Sequence, residues 1–358
     1  MIQARLLVSS LLVLLAACSE QTPPAAQTAA SAAAQTAAAE PAPAPPASGP
    51  VVVYSSRQEH LIKPLFDRFT AETGIDVQYQ TGEEGPLIAR LEAEGPATFA
   101  DVLYTVDAGN LWLATNKGLL APLDSAVLEA AIPAHLQDPG NHWFGLSVRA
   151  RTIVYSTERV DPAQLSSYEA LAGPDWKGRL CLRTSKKVYN MSLVGTLIER
   201  LGAEQAEQVV KGWVDNLATD VFSSDTLLIQ AIAAGQCDVG LVNTYYLGQE
   251  LQKDPALPVG LFWANQADGG VHVNVSGAGI TTFAKNPAGA QRLLEWLSTE
   301  APQTMFSELN LEFPANPVVA PVALVQGWGE FKQDSLNVEA AGRRQAEAVM
   351  LMDRAGYR

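Results

Sequence analysis

Three common signatures of catalysis are missing from this chain. It has no Gly-x-Ser-x-Gly elbow, no His-Glu-x-x-His pair and no glycine loop of the kind that cradles phosphate. Histidine is scarce, at 4 residues, and His60, His135, His142 and His272 stand too far apart for any two to share a metal-ligand motif. Cysteine is scarcer still, at 3, and the absence of Cys-x-x-Cys removes the usual zinc signatures. Basic residues are outnumbered, 24 Lys and Arg against 38 Asp and Glu, for a net charge of −14. A nucleic-acid partner would want a basic stripe, so that class is excluded, and an acidic surface is compatible with cations. No repeat of fixed period occurs. Nothing here asks for an enzyme.

What is present begins with an address. Arg5 precedes an apolar run from Leu6 to Ala17, which ends in Leu15-Ala16-Ala17-Cys18. A basic start, a short hydrophobic stretch and small residues make residues 1–17 a secretory signal, too short to span a bilayer permanently. The ending resembles a bacterial lipobox, which implies that Cys18 becomes the lipid-modified first residue of a protein anchored at the membrane. Residues 18–49 are Ala, Pro, Gln, Thr and Ser with almost no charge and no aromatic, a composition that forms a tether rather than a core. With Cys18 acylated, Cys181 and Cys237 remain as an even pair in an oxidising compartment. A bridge is predicted, two buried free thiols being the other reading.

From Val51 onward about 300 residues remain, more than one core usually serves, so two lobes are expected. Val51-Val52-Val53-Tyr54 reads as a strand, and Leu61, Ile62, Leu65, Phe66 and Phe69 recur at helical spacing up to a stop at Gly74. Ile75 to Tyr79 alternates as a strand, Pro86 to Glu94 is amphipathic, and Ala100 to Thr105 is β-rich. This alternation predicts an α/β fold with a largely parallel sheet. Two extended runs, Trp143–Ser156 and Val271–Ile280, are placed to cross between lobes. The expected division is 51–148 with 275–326 as lobe 1, 149–274 as lobe 2, and 327–358 as C-terminal helices packing on a lobe.

The residues with most chemistry in them are Tyr245 and Tyr246, at the end of the apolar run Val239-Gly240-Leu241-Val242. Phenolate oxygen is hard and anionic, suited to a hard trivalent cation. Most neighbouring tyrosines are packing with polar tips, so the context decides. That context is Tyr54-Ser55-Ser56-Arg57-Gln58-Glu59-His60, Ala100-Asp101-Val102-Leu103-Tyr104-Thr105-Val106-Asp107-Ala108-Gly109, Trp143 to Arg151, Asn243-Thr244-Tyr245-Tyr246 and Val273 to Gly279. In this order, from about Val51 to about Pro317, the chain resembles the ferric-iron-binding periplasmic proteins, the solute receptors of iron ABC importers.

The resemblance implies a Venus-flytrap fold, two hinged lobes around a cleft, in which tyrosines hold iron. It matches Val188-Tyr189-Asn190 and the Tyr245-Tyr246 pair to three of them. The family takes a further ligand, a His, a Tyr or both, from the loop after the first strand. Here Gln58 stands in the place of that His and Glu59 in the place of that Tyr. Glu59 is the expected carboxylate donor, with Gln58 and His60 as the other candidates. Arg57, Arg149 and Arg151 are candidates to orient a ligand or to balance phenolate charge. Asp225, in Ser223-Ser224-Asp225, is expected to cap a helix. Ferric iron is the favoured cargo and ferrous iron the alternative, with an anion able to complete the sphere. The implied partners are an ABC permease and its ATPase, served by an exported, lipid-anchored, non-enzymatic monomer. Two other readings remain: an anion or small organic cargo clamped by the arginines, and an enzyme with Glu59 facing Asp107 across the cleft.

Overall fold

The structure is a computed structural model that describes residues 49–358. The signal segment, Cys18 and the tether lie outside the described residues. The chain enters at Gly49 and Pro50, where Asn286 Nδ2 donates to the Gly49 carbonyl at 3.0 Å.

The first lobe starts with β1 (Val51–Ser55), α1 (Glu59–Thr73), β2 (Val77–Thr81), α2 (Glu84–Glu94), β3 (Val102–Val106), α3 (Ala108–Asn116) and α4 (Ala126–Ala131). Strand β1 lies between β2 and β3 and runs parallel to both. Helix α1 buries Leu61, Ile62, Leu65, Phe66 and Phe69, the residues whose spacing called for it. It ends at Gly74, whose φ of +73° suits a residue without a Cβ.

Strand β4 (Phe144–Ser156) is the crossing. Its residues 144–150 pair antiparallel with β8 (Val273–Ile280), which also pairs with β3. From Arg151 it changes partners, pairing with β6 (Val239–Asn243) and then with β7 (Val259–Phe262). The short β5 (Leu180–Cys181) runs parallel to β6. Helices α5 (Val188–Leu201), α6 (Ala203–Asp215), α7 (Asp225–Ala233) and α8 (Thr244–Lys253) complete the second lobe. The chain then returns through β8 to α9 (Pro287–Leu297), α10 (Glu300–Asn310) and β9 (Phe313–Pro314), which pairs with β4.

The C-terminal segment forms α11 (Ala323–Gln326), α12 (Glu339–Arg343) and α13 (Gln345–Arg354). It was expected to pack on one lobe, but α12 lies against α3 of the first and α5 of the second. Small residues make the approach close. A Cβ at Gly342 would stand 2.6 Å from Trp112 Cβ and 3.0 Å from Gly109 Cα, and one at Gly195 of α5 would stand 3.2 Å from the Ala341 carbonyl. Arg343 and Arg344 both pair with Glu199 of α5. One apolar cluster accordingly runs from Leu103 and Leu111 through Val148 and Ala150 to Leu193, Leu197 and Leu351.

Candidate functional site

A cleft of about 480 Å3 opens at the C-terminal end of β1. Ser56, Arg57, Gln58, His60, Glu83, Glu84 and Val106 line it from the first lobe. Arg149, Arg183, Lys187, Tyr189, Tyr245 and Tyr246 line it from β4 and the second lobe, and Glu312 lines it from the segment after α10.

The phenols come from two helix starts. Tyr189 is in the first turn of α5, and Tyr245 and Tyr246 are in the first turn of α8. The Tyr245 hydroxyl donates to that of Tyr189 at 3.2 Å. The Tyr245 and Tyr246 rings are 4.3 Å apart between centroids. Burial pushes the Tyr189 and Tyr245 phenols well above their ordinary value, although Arg149, whose guanidinium lies 5.5 Å from the Tyr189 ring centre, opposes the shift. Without a cation both remain neutral at pH 7.

Two braces hold these helix starts together. Cys181 and Cys237 form the predicted disulfide, with Cα atoms 6.0 Å apart. The second brace is Arg151. Its Nε donates to Asn190 Oδ1 at 2.9 Å, beside Tyr189, and its Nη1 donates to Asn243 Oδ1 at 3.1 Å, two residues before Tyr245. Asp225 neutralises it at 3.0 Å and also accepts from the Asn243 backbone N–H. Arg151 therefore does not reach the cleft to orient a ligand; its guanidinium is used up inside the second lobe. Asp225 does not cap α7 either. Ser224 does, accepting from the Leu227 N–H, which leaves the Asp225 carboxylate free to turn inward.

The other two arginines line the cleft and are fixed by a carboxylate that the motifs did not single out. Glu312 accepts from Arg57 Nη2 at 2.9 Å and from Arg149 Nη1 at 3.4 Å. Burial alone would raise the Glu312 carboxyl, but the two guanidiniums win and hold it below the usual range. Ser276 Oγ accepts from both arginines. Arg183, also missed, is buried on the cleft wall, and its guanidinium lies 5.6 Å from the Tyr189 ring centre and 5.9 Å from that of Tyr246. Its Nη1 lies 3.7 Å from Asp225 Oδ1, too long for a hydrogen bond, and its Nε has no hydrogen-bond partner among the described residues. The signal for Arg183 was its position between Cys181 and Tyr189; Glu312, as far from the motifs in sequence as it is close in space, had none.

The loop after β1 corrects a further expectation. Glu59 does not line the cleft: α1 begins at this residue and turns its carboxylate toward β2, where it accepts from the Tyr79 hydroxyl at 2.9 Å. Gln58 and His60, on either side, do line the cleft. Asp107 is fully buried and bonded to Ser192 and Asn274, so no Glu59–Asp107 acid–base pair spans the cleft. Tyr54 and Tyr104 are core residues. Among the described residues no cluster of three His, Cys, Asp or Glu side chains forms a metal site, so hard-cation chemistry here falls to the phenols.

Comparison with known proteins agrees with this chemistry. Residues 54–304 match the model of the bacterial extracellular solute-binding proteins. The chain is 40% identical over 312 residues to iron uptake protein A1 of Synechocystis, covering 86% of this chain and 87% of that one. It is 29% identical to the Fe(3+)-binding periplasmic protein of Serratia marcescens, over 86% and 90%. Its fold matches that of the Trichodesmium IdiA (FutA) protein in complex with iron and citrate ligands, with a TM-score of 0.84 and 42% identity over 87% of this chain and 100% of that one. The relatives are binding proteins, and the two-lobed architecture is theirs. This chain belongs to the bacterial extracellular solute-binding protein family.

Proposed function

We propose that this protein is an extracytoplasmic receptor that captures ferric iron between its lobes and delivers it to a membrane permease. The observation that carries this reading is the meeting of Tyr189 and Tyr245 hydroxyls at 3.2 Å in a cleft that Tyr246 also lines. Three phenolates would balance the charge of Fe(III) and match its hardness. The ion itself would displace their protons, because a bound cation inverts the pKa that burial imposes. Gln58 and His60 are the first-lobe candidates to complete the sphere, so that lobe closure is coupled to cargo. A small carboxylate or carbonate bound beside the metal would meet Arg183, whose Nε has no hydrogen-bond partner among the described residues.

The protein performs no reaction in this reading. It is exported, held at the membrane by a lipid on Cys18, and works as a monomer. The permease and its ATPase are separate chains that respond to the closed form. Relatives named for iron uptake and for Fe(3+) binding support the cargo.

Titration with Fe(III) tests the reading. A visible phenolate-to-iron charge-transfer band is expected, together with a rise in melting temperature. Both should disappear in the double variant Tyr245→Phe, Tyr246→Phe. A protein that gives neither band nor thermal shift with Fe(III) would overturn the assignment.

A further inference from the structure

The carboxylate of Asp107 sits where the first lobe meets the helix that carries Tyr189. It follows directly on β3, at the cleft end of that strand, and it is fully buried. Its Oδ1 accepts from the Gly109 N–H at 2.8 Å, capping α3. Its Oδ2 accepts from Asn274 Nδ2, also at 2.8 Å. Asn274 lies on β8 opposite Arg149, just where the strands cross between lobes. The third donor comes from the other lobe: Ser192 Oγ is 2.9 Å from both carboxylate oxygens. Ser192 is on α5, three residues, close to one turn, after Tyr189.

We propose that Asp107 is the positioning residue that fixes α5, and with it Tyr189, against the first lobe. Three features of the site support this. First, every partner donates, so an acceptor-only carboxylate is what the site needs; an asparagine would set an N–H against either Gly109 or Asn274. Second, Asp107 has a φ of +153°, rarely adopted by residues with a side chain. Strain of this kind persists where surrounding bonds over-determine a conformation, and it clusters at sites with a role. Third, Asp107 has no salt-bridge partner among the described residues, and burial outweighs the more distant Arg149 to push its carboxyl up to about 6. A charge-bearing group kept in so poor a place for charge, on strained backbone, is held by the geometry it imposes.

The consequence is a division of labour around Tyr189. Arg151 and the disulfide fix it relative to Tyr245 within one lobe, while Asp107 fixes it relative to Gln58 and His60 on the other. The cargo in this argument rests on the iron reading above; the tie itself does not.

The test uses the exported chain labelled for pulsed spin-resonance distances through Ala89→Cys on α2 and Gln205→Cys on α6, both exposed. In the metal-free protein the label-to-label distance should broaden or shift in Ser192→Ala, and further in Asp107→Asn. Competition between the protein and citrate for Fe(III) should then show about a tenfold weaker affinity in Ser192→Ala. The charge-transfer band should keep its position, because the phenols are untouched. If both variants fold, by circular dichroism, and both keep the parent distance, the proposal is overturned whatever iron does. If Asp107→Asn does not fold, Ser192→Ala alone decides. Altered distances in a protein that shows no iron band would leave the tie standing and remove the iron reading.

Discussion

Tyr189 and Tyr245 meet hydroxyl to hydroxyl across a sequence separation of 56, the same separation as the bridged Cys181 and Cys237. Each phenol follows its cysteine by eight residues, so the covalent link and the phenol contact are two rungs between the same two segments. Tyr189→Phe removes one of the three phenol oxygens proposed to hold iron and leaves the ring. We expect Fe(III) affinity to fall by tenfold or more, about 1.4 kcal/mol at the least, with little change in melting temperature of the metal-free protein. Isothermal competition against citrate measures it.

Acid should release the cargo. Because burial raises the Tyr189 and Tyr245 phenols, each one bound to iron must first surrender a proton at any pH below its raised value. Affinity therefore falls as pH falls, by up to about one decade per pH unit for each phenol deprotonated on binding. Proton release measured in weakly buffered solution on adding Fe(III) checks the count, and Tyr245→Phe should lower it by one.

Removing the bridge should weaken the second lobe. A closed loop of this length contributes about 4 kcal/mol on the chain-entropy estimate. The double variant Cys181→Ala, Cys237→Ala should unfold at markedly lower denaturant concentration. Both sulfurs are buried, so mild reductant should leave the folded wild-type bridge intact, as thiol titration would show.

The Arg151–Asp225 pair is buried on both sides. Asp225→Ala strands a guanidinium in the core and should cost about 3 kcal/mol or more. It should also impair iron binding, since Asn190 and Asn243 lose their common anchor. Glu59→Gln, in contrast, should leave iron binding unchanged, because that side chain bonds to Tyr79 outside the cleft. A loss comparable to that of Tyr189→Phe would restore Glu59 as a ligand.

Two buried groups bonded to neighbouring turns of α5 should oppose one another in acid. Thr196 bonds His272, which burial lowers to about 4, and Ser192 bonds Asp107, raised to about 6. The fold prefers neutral His272, so its contribution is present above about 6.5 and is lost as pH falls toward 4. The fold disfavours ionised Asp107, so that penalty is present above about 6 and is relieved as pH falls toward its ordinary value. Each is worth about 3 kcal/mol and they nearly offset. His272→Gln should therefore gain stability relative to wild type between pH 7 and 4.5, read from denaturation midpoints.

Local features of this protein were legible in its sequence. Gly74 marked the end of α1, the spacing of Leu61 to Phe69 marked its buried face, and Cys181 with Cys237 declared a bridge through compartment and parity. What escaped was contact between distant segments. Arg151 read as a cleft cation because its partners, Asp225 and Asn243, lie 74 and 92 residues away. Glu312 escaped for the same reason, being 255 residues from Arg57. Glu59 failed differently. Where α1 begins decides which of three consecutive side chains faces the cleft, and that depended on Tyr79, a residue on another strand.

The position of β8 between β3 and β4 has a bearing on how the protein is made. The first lobe has an incomplete sheet until residue 314 has been synthesised and exported, whereas the second lobe has all its strands by Phe262. The second-lobe segments that carry the phenols and their bridge are thus all present before the sheet of the opposite wall is complete. Helices α12 and α13 arrive last, and α12 seats against α3 and α5, so a chain cut short before Glu339 would own both walls of the cleft without the helix that packs against the two.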